Sequence, residues 1–122
     1  MATISNSPTI LPELTELFKL VHLSQRHLPK LERYTLWKRI EDLLIENIEL
    51  VIKMRFHTAP ENKLNILSKL SCNTDMLKIL MRVAVETDCI IQKKYVAMEE
   101  KLVTIGKMIG GWMKYIATPT NT

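Results

Sequence analysis

Residues 91–116 read IQKKYVAMEEKLVTIGKMIGGWMKYI, and large apolar side chains recur in this stretch at alternating intervals of four and three residues. This spacing is typical of one face of a helix that packs along its length against other helices. The stretch therefore predicts a helix at about residues 90–117 with an apolar stripe facing a helical core. The stripe consists of Ile91, Tyr95, Met98, Leu102, Ile105, Ile109, Trp112 and Ile116.

The same stretch contains all three glycines of the chain, Gly106, Gly110 and Gly111. They do not match a phosphate-binding loop, because the spacing G-x-x-x-x-G-K-[ST] is absent and no strand precedes them. Since the apolar stripe continues through them, we interpret them as helical, at a cost of about 1 kcal/mol each relative to alanine. Two interpretations stay open: the glycines let another helix approach closely, or the helix frays after Met108.

The rest of the chain divides at its prolines into three further segments with helical periodicity. We predict helices at about residues 9–28, 31–57 and 60–87 before the one at 90–117, with short disordered polar tails. The polar run Asn73-Thr74-Asp75 lies inside the third helix, which we expect to be continuous. The 122 residues fit one domain spanning residues 1–122. The predicted fold is therefore all-α, an antiparallel up-down four-helix bundle.

The second predicted helix has a wider apolar face than a helix inside an isolated bundle needs. Ile45 and Ile52 lie outside its main stripe, and we expect them to contact another subunit. The main stripe consists of Leu36, Ile40, Leu43, Leu44, Ile48 and Val51. In the first and third helices the core residues are predicted to be Leu14, Leu17, Phe18, Val21, Leu28, Leu64, Leu67, Leu70, Leu77, Met81 and Ala84.

Residues able to carry catalysis or bind a metal do not occur at the required spacings. His22, His27 and His57 form no Glu-x-x-His pair, and Cys72 and Cys89 form no C-x-x-C motif. We interpret both cysteines as reduced core residues of a cytoplasmic protein, because the sequence shows neither a signal peptide nor a membrane span. We predict a protein that is not an enzyme and needs no metal or other cofactor.

The formal charge of +4 is distributed unevenly. Residues 22–39 carry five basic side chains and one acidic, residues 93–114 carry five lysines and two glutamates, and residues 40–57 between them are acidic. Basic segments that converge in space attract nucleic acid, whereas a charged helix face can also simply be solvated. The candidates for phosphate contacts are Arg26, Lys30, Arg33, Lys38, Arg39, Lys93, Lys94, Lys101, Lys107 and Lys114.

Two motifs on these helices resemble one known family. They are Leu28-Pro29-Lys30-x-x-Arg33-Tyr34-x-Leu36-x-x-Arg39-Ile40 and Tyr95-x6-Leu102-x2-Ile105-Gly106-Lys107-Met108-Ile109-Gly110-Gly111-Trp112. Together with Arg82-Val83-Ala84 they resemble the four-helix-bundle family of the accessory variability determinants of diversity-generating retroelements, over about residues 14–115. Trp37 stands where a small residue is common in that family, which leaves its packing open.

The resemblance implies a basic bundle that assembles into a homopentameric barrel, binds RNA, DNA or their hybrids, and partners an error-prone reverse transcriptase. Such a protein would support mutagenic retrohoming, in which adenine-mutagenised complementary DNA copied from a template RNA replaces a variable region of a target gene. The ten basic candidates would then contact phosphate or the polymerase. The residues of a packing motif would be Tyr34, Tyr95, Gly106, Gly110, Gly111 and Trp112.

A related branch of the family is encoded within intervening sequences of bacterial large-subunit ribosomal RNA. It leaves an alternative function open, in which the chain is a structural or adaptor oligomer without a reverse-transcriptase partner. In either case no catalytic group is expected in the chain. Five copies would carry a formal charge of about +20 on one particle, enough for a strong electrostatic field.

Overall fold

The computed structural model describes residues 2–117, and the side chains from Ile10 onward. Within that range the chain forms five α-helices: α1 (Ala2–Ser24), α2 (Lys30–Tyr34), α3 (Leu36–Met54), α4 (Pro60–Glu86) and α5 (Gln92–Ala117). A 3-10 turn, Gln25–His27, and the short α2 connect α1 to α3. The four long helices surround one core in the order α1, α3, α4, α5, with α5 packed against α1. The predicted all-α fold with four antiparallel helices is confirmed.

The apolar stripe of residues 91–116 forms the contribution of α5 to this core. Its middle is fully enclosed, since Met98, Leu102, Ile105 and Ile109 are buried, and Tyr95, Trp112 and Ile116 pack against the core at its ends. Ile91 does not belong to the stripe, because 63% of it is exposed. The helix begins only at Gln92, and the turn before it points Ile90 into the core instead.

The first helix lies further toward the N-terminus than the predicted range 9–28. Both Pro8 and Pro12 fall inside α1, where each removes one backbone donor. At the other end, Ser24 Oγ donates to the Leu20 carbonyl at 2.8 Å, and the chain tightens into the 3-10 turn. The predicted C-terminal polar tail, residues 118–122, lies outside the described residues.

The helix predicted at residues 31–57 is divided in the structure. Thr35 has φ −115° and ψ −90°, outside the helical region, and separates α2 from α3. Its Oγ1 donates to the Leu31 carbonyl at 3.0 Å, while its own carbonyl accepts the first backbone bond of α3 from Arg39 at 3.2 Å. One residue thus ends one helix and begins the next, a change of direction that apolar periodicity does not report.

Trp37 lies two residues after this break and is 1% exposed. Its indole Nε1 donates to the Val21 carbonyl at 2.7 Å. Val21 belongs to the last turn of α1, where carbonyl groups lack partners within the helix. The side chain therefore fills the core between α1 and α3 and also satisfies a helix end, a role that a small residue at this position could not perform.

A polar network lies in the core between α3 and α4. Asn73 Nδ2 donates to Asn47 Oδ1 at 2.9 Å, Asn47 Nδ2 lies 3.5 Å from Thr74 Oγ1, and Thr74 Oγ1 donates to the Leu70 carbonyl at 2.8 Å. All three polar residues are buried. Asn73 and Thr74 of the polar run in the third predicted helix are thus paired groups, whereas Asp75 is exposed, and α4 continues through the run without a break.

We expect Asn47→Ala to lower the free energy of unfolding by about 1–3 kcal/mol, because it leaves the buried Asn73 amide without its acceptor. Urea denaturation at fixed protein concentration measures the change. The control is Asn65→Ala, an exposed position on α4, which should change stability by less than about 0.5 kcal/mol. Equal effects of the two substitutions would contradict a stabilising role for the network.

Candidate nucleic-acid interface

Two connections of the bundle lie at the same end, because consecutive long helices run in opposite directions. One joins α1 to α3 and contains α2, and the other joins α4 to α5. A depression lined by Ser24, His27 and Lys94, among others, joins the two connections. The basic residues gathered there, here called the basic end, are Arg26, Lys30, Arg33, Arg39, Lys93 and Lys94.

The basic end is a surface of mostly exposed cations near the ends of the long helices. Arg33 and Lys94 are half-buried and the other four members are exposed. On the same connections and the last turn of α4, Glu32, Glu86 and Asp88 are acidic, so positive charge predominates. Guanidinium and ammonium groups held at helix ends suit contacts to phosphate oxygens without selecting a base sequence.

A groove of roughly 330 Å³ opens beside the C-terminal end of α1 and is lined by His22, Leu23, Gln25, Arg26 and Arg33. His22 Nδ1 donates to Glu41 Oε2 at 3.1 Å, so the imidazole is held between α1 and α3. From sequence, the histidines were considered only as metal ligands, and the place of His22 in this groove was not predicted. The signal available in the sequence was that His22 lies four residues before Arg26 in the first basic segment.

Four of the ten predicted contacts are not part of this surface. Lys38 is engaged with Asp42 at 3.1 Å, and Lys101 pairs with Glu13 of α1 at 3.1 Å. Lys107 lines a separate groove together with Asp75. At about 1.5 Å per residue, Lys107 and Lys114 lie roughly 20 and 30 Å along α5 from its first turn. The other six candidates are the ones that lie together at the basic end.

The glycines of the packing motif are helical, since α5 continues to Ala117, and the interpretation that the helix frays after Met108 is wrong. A Cβ added to Gly106 would lie 3.6 Å from Lys78 Nζ, whereas one added to Gly110 or Gly111 would have no neighbour within 4 Å. No close approach is thus made at these last two positions by the described part of the same chain. A close approach by another copy stays a proposal.

The other residues of the packing motif differ in their surroundings. Tyr95 and Trp112 pack against the core, whereas Tyr34 on α2 is 67% exposed. Cys89 is buried as predicted, but the prediction for Cys72 is wrong. Cys72 lies two residues after the core residue Leu70, which places it on the opposite side of α4, in solvent.

Metal ligands do not cluster anywhere in residues 2–117, where no group of three or more His, Cys, Asp or Glu side chains could hold an ion. None of the helices described for this chain is long and apolar enough to span a membrane.

A comparison with protein families matches the chain to one family. The profile of the bAvd-like family matches residues 9–116. This range contains the basic end, all of α3 and α4, α1 from residue 9 onward, and α5 up to residue 116. No curated protein matches the sequence.

Proposed function

The chain belongs to the bAvd-like family, the bacterial accessory variability determinants, and we propose that it binds both nucleic acid and the error-prone reverse transcriptase of a diversity-generating retroelement. Proteins of this family are non-catalytic accessory proteins of such retroelements. In this role the reverse transcriptase carries out the chemistry of DNA synthesis. The protein contributes a basic surface that holds template RNA or its complementary DNA during mutagenic retrohoming.

The basic end carries this proposal. Its cations come from two separate segments of the chain and meet at one end of a rigid bundle. Phosphate contacts of this kind supply affinity for any strand and position it, while leaving base recognition to the polymerase and to pairing with the template. The basic end therefore suits an accessory protein that keeps a nucleic acid close to a polymerase.

The proposed assembly is a homopentameric barrel. Ile45 and Ile52, which were predicted to contact another subunit, are 43% and 41% exposed and lie on one side of α3. Packing against another copy would remove these apolar side chains from water. Five copies would bring five basic ends together, and the summed field would attract nucleic acid far more strongly than one chain of charge +4.

The salt dependence of binding tests the proposal. If about six phosphates are contacted, affinity for single-stranded RNA or an RNA/DNA hybrid should fall on the order of 10³-fold between about 50 and 200 mM salt. Fluorescence anisotropy with labelled strands measures this fall, and strands of unrelated sequence should behave alike. Co-purification with the reverse transcriptase encoded beside the gene tests the second partner.

An affinity unaffected by salt would exclude the phosphate contacts. If neither nucleic acid nor a reverse transcriptase were bound, the alternative of a structural or adaptor oligomer, as in the ribosomal intervening-sequence branch, would be favoured. If affinity does not depend on salt, the charges of the basic end do not determine binding. If neither partner is bound, the basic end has no ligand.

A further inference from the structure

Two charged side chains each have a buried atom without a hydrogen-bond partner. Among the residues that the structure describes, these atoms are Arg33 Nε and Glu99 Oε1. Buried polar atoms are almost always paired in native proteins, and an unpaired one costs about 1–3 kcal/mol or more if charged. One of the two is a cationic donor and the other an anionic acceptor, so each is the partner that the other lacks.

Arg33 belongs to the side of the bundle formed by α1 and α3. It shares a groove with His22 of α1, and His22 in turn contacts Glu41 of α3 at 3.1 Å. We call this side the α1/α3 face. Arg33 lies at its basic end, in the connection between the two helices.

Glu99 belongs to the side formed by α4 and α5. Gly106 follows it by two helical turns, on the same side of α5, and a Cβ there would lie 3.6 Å from Lys78 Nζ of α4. We call this side the α4/α5 face. The helices follow one another around the core as α1, α3, α4 and α5, so the two faces lie on opposite sides of the bundle. Both unpaired groups lie near the same end, because α5 starts at the basic end and Glu99 is in its first turns.

Both faces also expose apolar side chains. On the α1/α3 face, Ile45 and Ile52 follow Glu41 by four and eleven residues and therefore lie on its side of α3. On the α4/α5 face, Val96 and Val103 flank Glu99 and are 43% and 38% exposed. Gly110, eleven residues after Glu99, leaves the same side of α5 without a side chain. A contact with a second copy would remove these apolar side chains from water.

We propose that the α1/α3 face of one copy packs against the α4/α5 face of a second copy, with Arg33 of the first pairing with Glu99 of the second. This contact joins two different surfaces of identical chains, so it repeats from copy to copy and can close into a ring. The inference rests on the assembly included in the proposed function and adds the surfaces and the ion pair that form it. It also gives Arg33 a role distinct from phosphate binding.

Charge reversal tests the pair. Arg33→Glu and Glu99→Arg should each weaken self-association by about 30-fold or more, because each places like charges at every contact between copies. Mixing the two purified variants in equal amounts should partly restore assembly, because every contact between unlike variants joins opposite charges. Recovery is partial, since a ring of five keeps at least one contact between like variants. Light scattering and sedimentation velocity measure the size of the particles. Restoration on mixing is specific to a contact between chains, since a pair within one chain would be broken in both variants.

Exposed residues at the opposite end of the bundle provide controls with the same changes of charge. Glu61→Arg at the start of α4 and Lys53→Glu at the end of α3 should assemble as the wild type does. Circular dichroism checks that each variant is folded. If a charge reversal prevents folding, Glu99→Gln serves in its place, because it keeps the shape of the side chain and removes its charge. It should weaken assembly by a smaller factor than reversal.

The outcomes separate the pair from the assembly. A monomeric wild type would overturn the proposed assembly and the pair with it. An oligomeric wild type whose two reversal variants also assemble, or whose mixture does not recover, would overturn the pair alone. If Arg33→Glu assembles normally but loses RNA affinity, Arg33 belongs to the nucleic-acid surface and the inference is wrong.

Gly110→Leu should weaken assembly if the α4/α5 face is the contact, and normal assembly of this variant would argue against that face.

Discussion

Replacing Trp37 by alanine is expected to lower the free energy of unfolding by about 3–5 kcal/mol, a large part of the stability of a small domain. The substitution opens a cavity in the core between α1 and α3, where the indole is 1% exposed. It also removes the donor that satisfies the Val21 carbonyl at the end of α1. Thermal and urea denaturation followed by circular dichroism measure the change. Protein concentration is held constant, because self-association raises apparent stability.

Two further substitutions separate the contributions of Trp37. Trp37→Phe keeps most of the ring but leaves the Val21 carbonyl without this donor, and should cost about 1–3 kcal/mol. Trp112→Ala removes the other tryptophan, which is only partly buried at the edge of the core, and should cost less than Trp37→Ala. If the two alanine substitutions lowered the free energy of unfolding equally, the complete burial and the hydrogen bond of Trp37 would add no stability beyond that of a partly buried tryptophan.

Neutralising four residues of the basic end together should weaken nucleic-acid binding by on the order of 10²–10³-fold at about 0.1 M salt. The variant combines Arg26→Gln, Lys30→Gln, Lys93→Gln and Lys94→Gln, all at positions in the two connections or the first turn of α5. Each lost phosphate contact removes about 0.7–0.9 from the slope of log affinity against log salt, so the slope should fall by about 3–4. Anisotropy titrations at several salt concentrations measure both quantities.

A control variant loses the same charge elsewhere. It combines Lys53→Gln, Lys63→Gln, Lys107→Gln and Lys114→Gln, which lie near the opposite end of the bundle or along the second half of α5. We expect the control to retain nearly all of the nucleic-acid affinity of the wild type. That result would show that binding depends on where the positive charges lie. If the two variants lose affinity equally, binding follows net charge alone and the basic end has no particular role.

The parts of the fold that were predictable from sequence are those decided by burial of one helix face. Met98, Leu102 and Ile105 lie in the core. Apolar side chains that repeat at this period lie on one face of a helix, and that face is the one that packs inward. The break at Thr35 was not predictable, because it depends on one residue leaving the helical region. The role of Trp37 was hidden for a related reason: its acceptor, Val21, is 16 residues away and is reached only in the folded chain.

The candidate site was predictable as a set of charges but not as a surface. The two basic segments meet because antiparallel helices bring alternate connections to one end, which follows from the fold once it is known. Lys101 shows what the sequence conceals, since its partner Glu13 is 88 residues away and engages it on the side of the bundle. From sequence, Arg33 was a member of a basic segment and of the first motif, and Glu99 was only a member of a charged segment. The absence of partners for their buried atoms is visible only in three dimensions.

The buried amides between α3 and α4 fix how far one helix is shifted along the other. A slide of one helical turn would separate Asn47 from Asn73 and leave both in an apolar core without partners, whereas leucines at these positions would tolerate the slide. A wrong alignment would also shift the two connections relative to each other, because α2 precedes α3 and the turn to α5 follows α4 at the same end of the bundle. The network therefore holds the two connections at one height, and in the proposed function this would let the cations they carry reach a nucleic acid together.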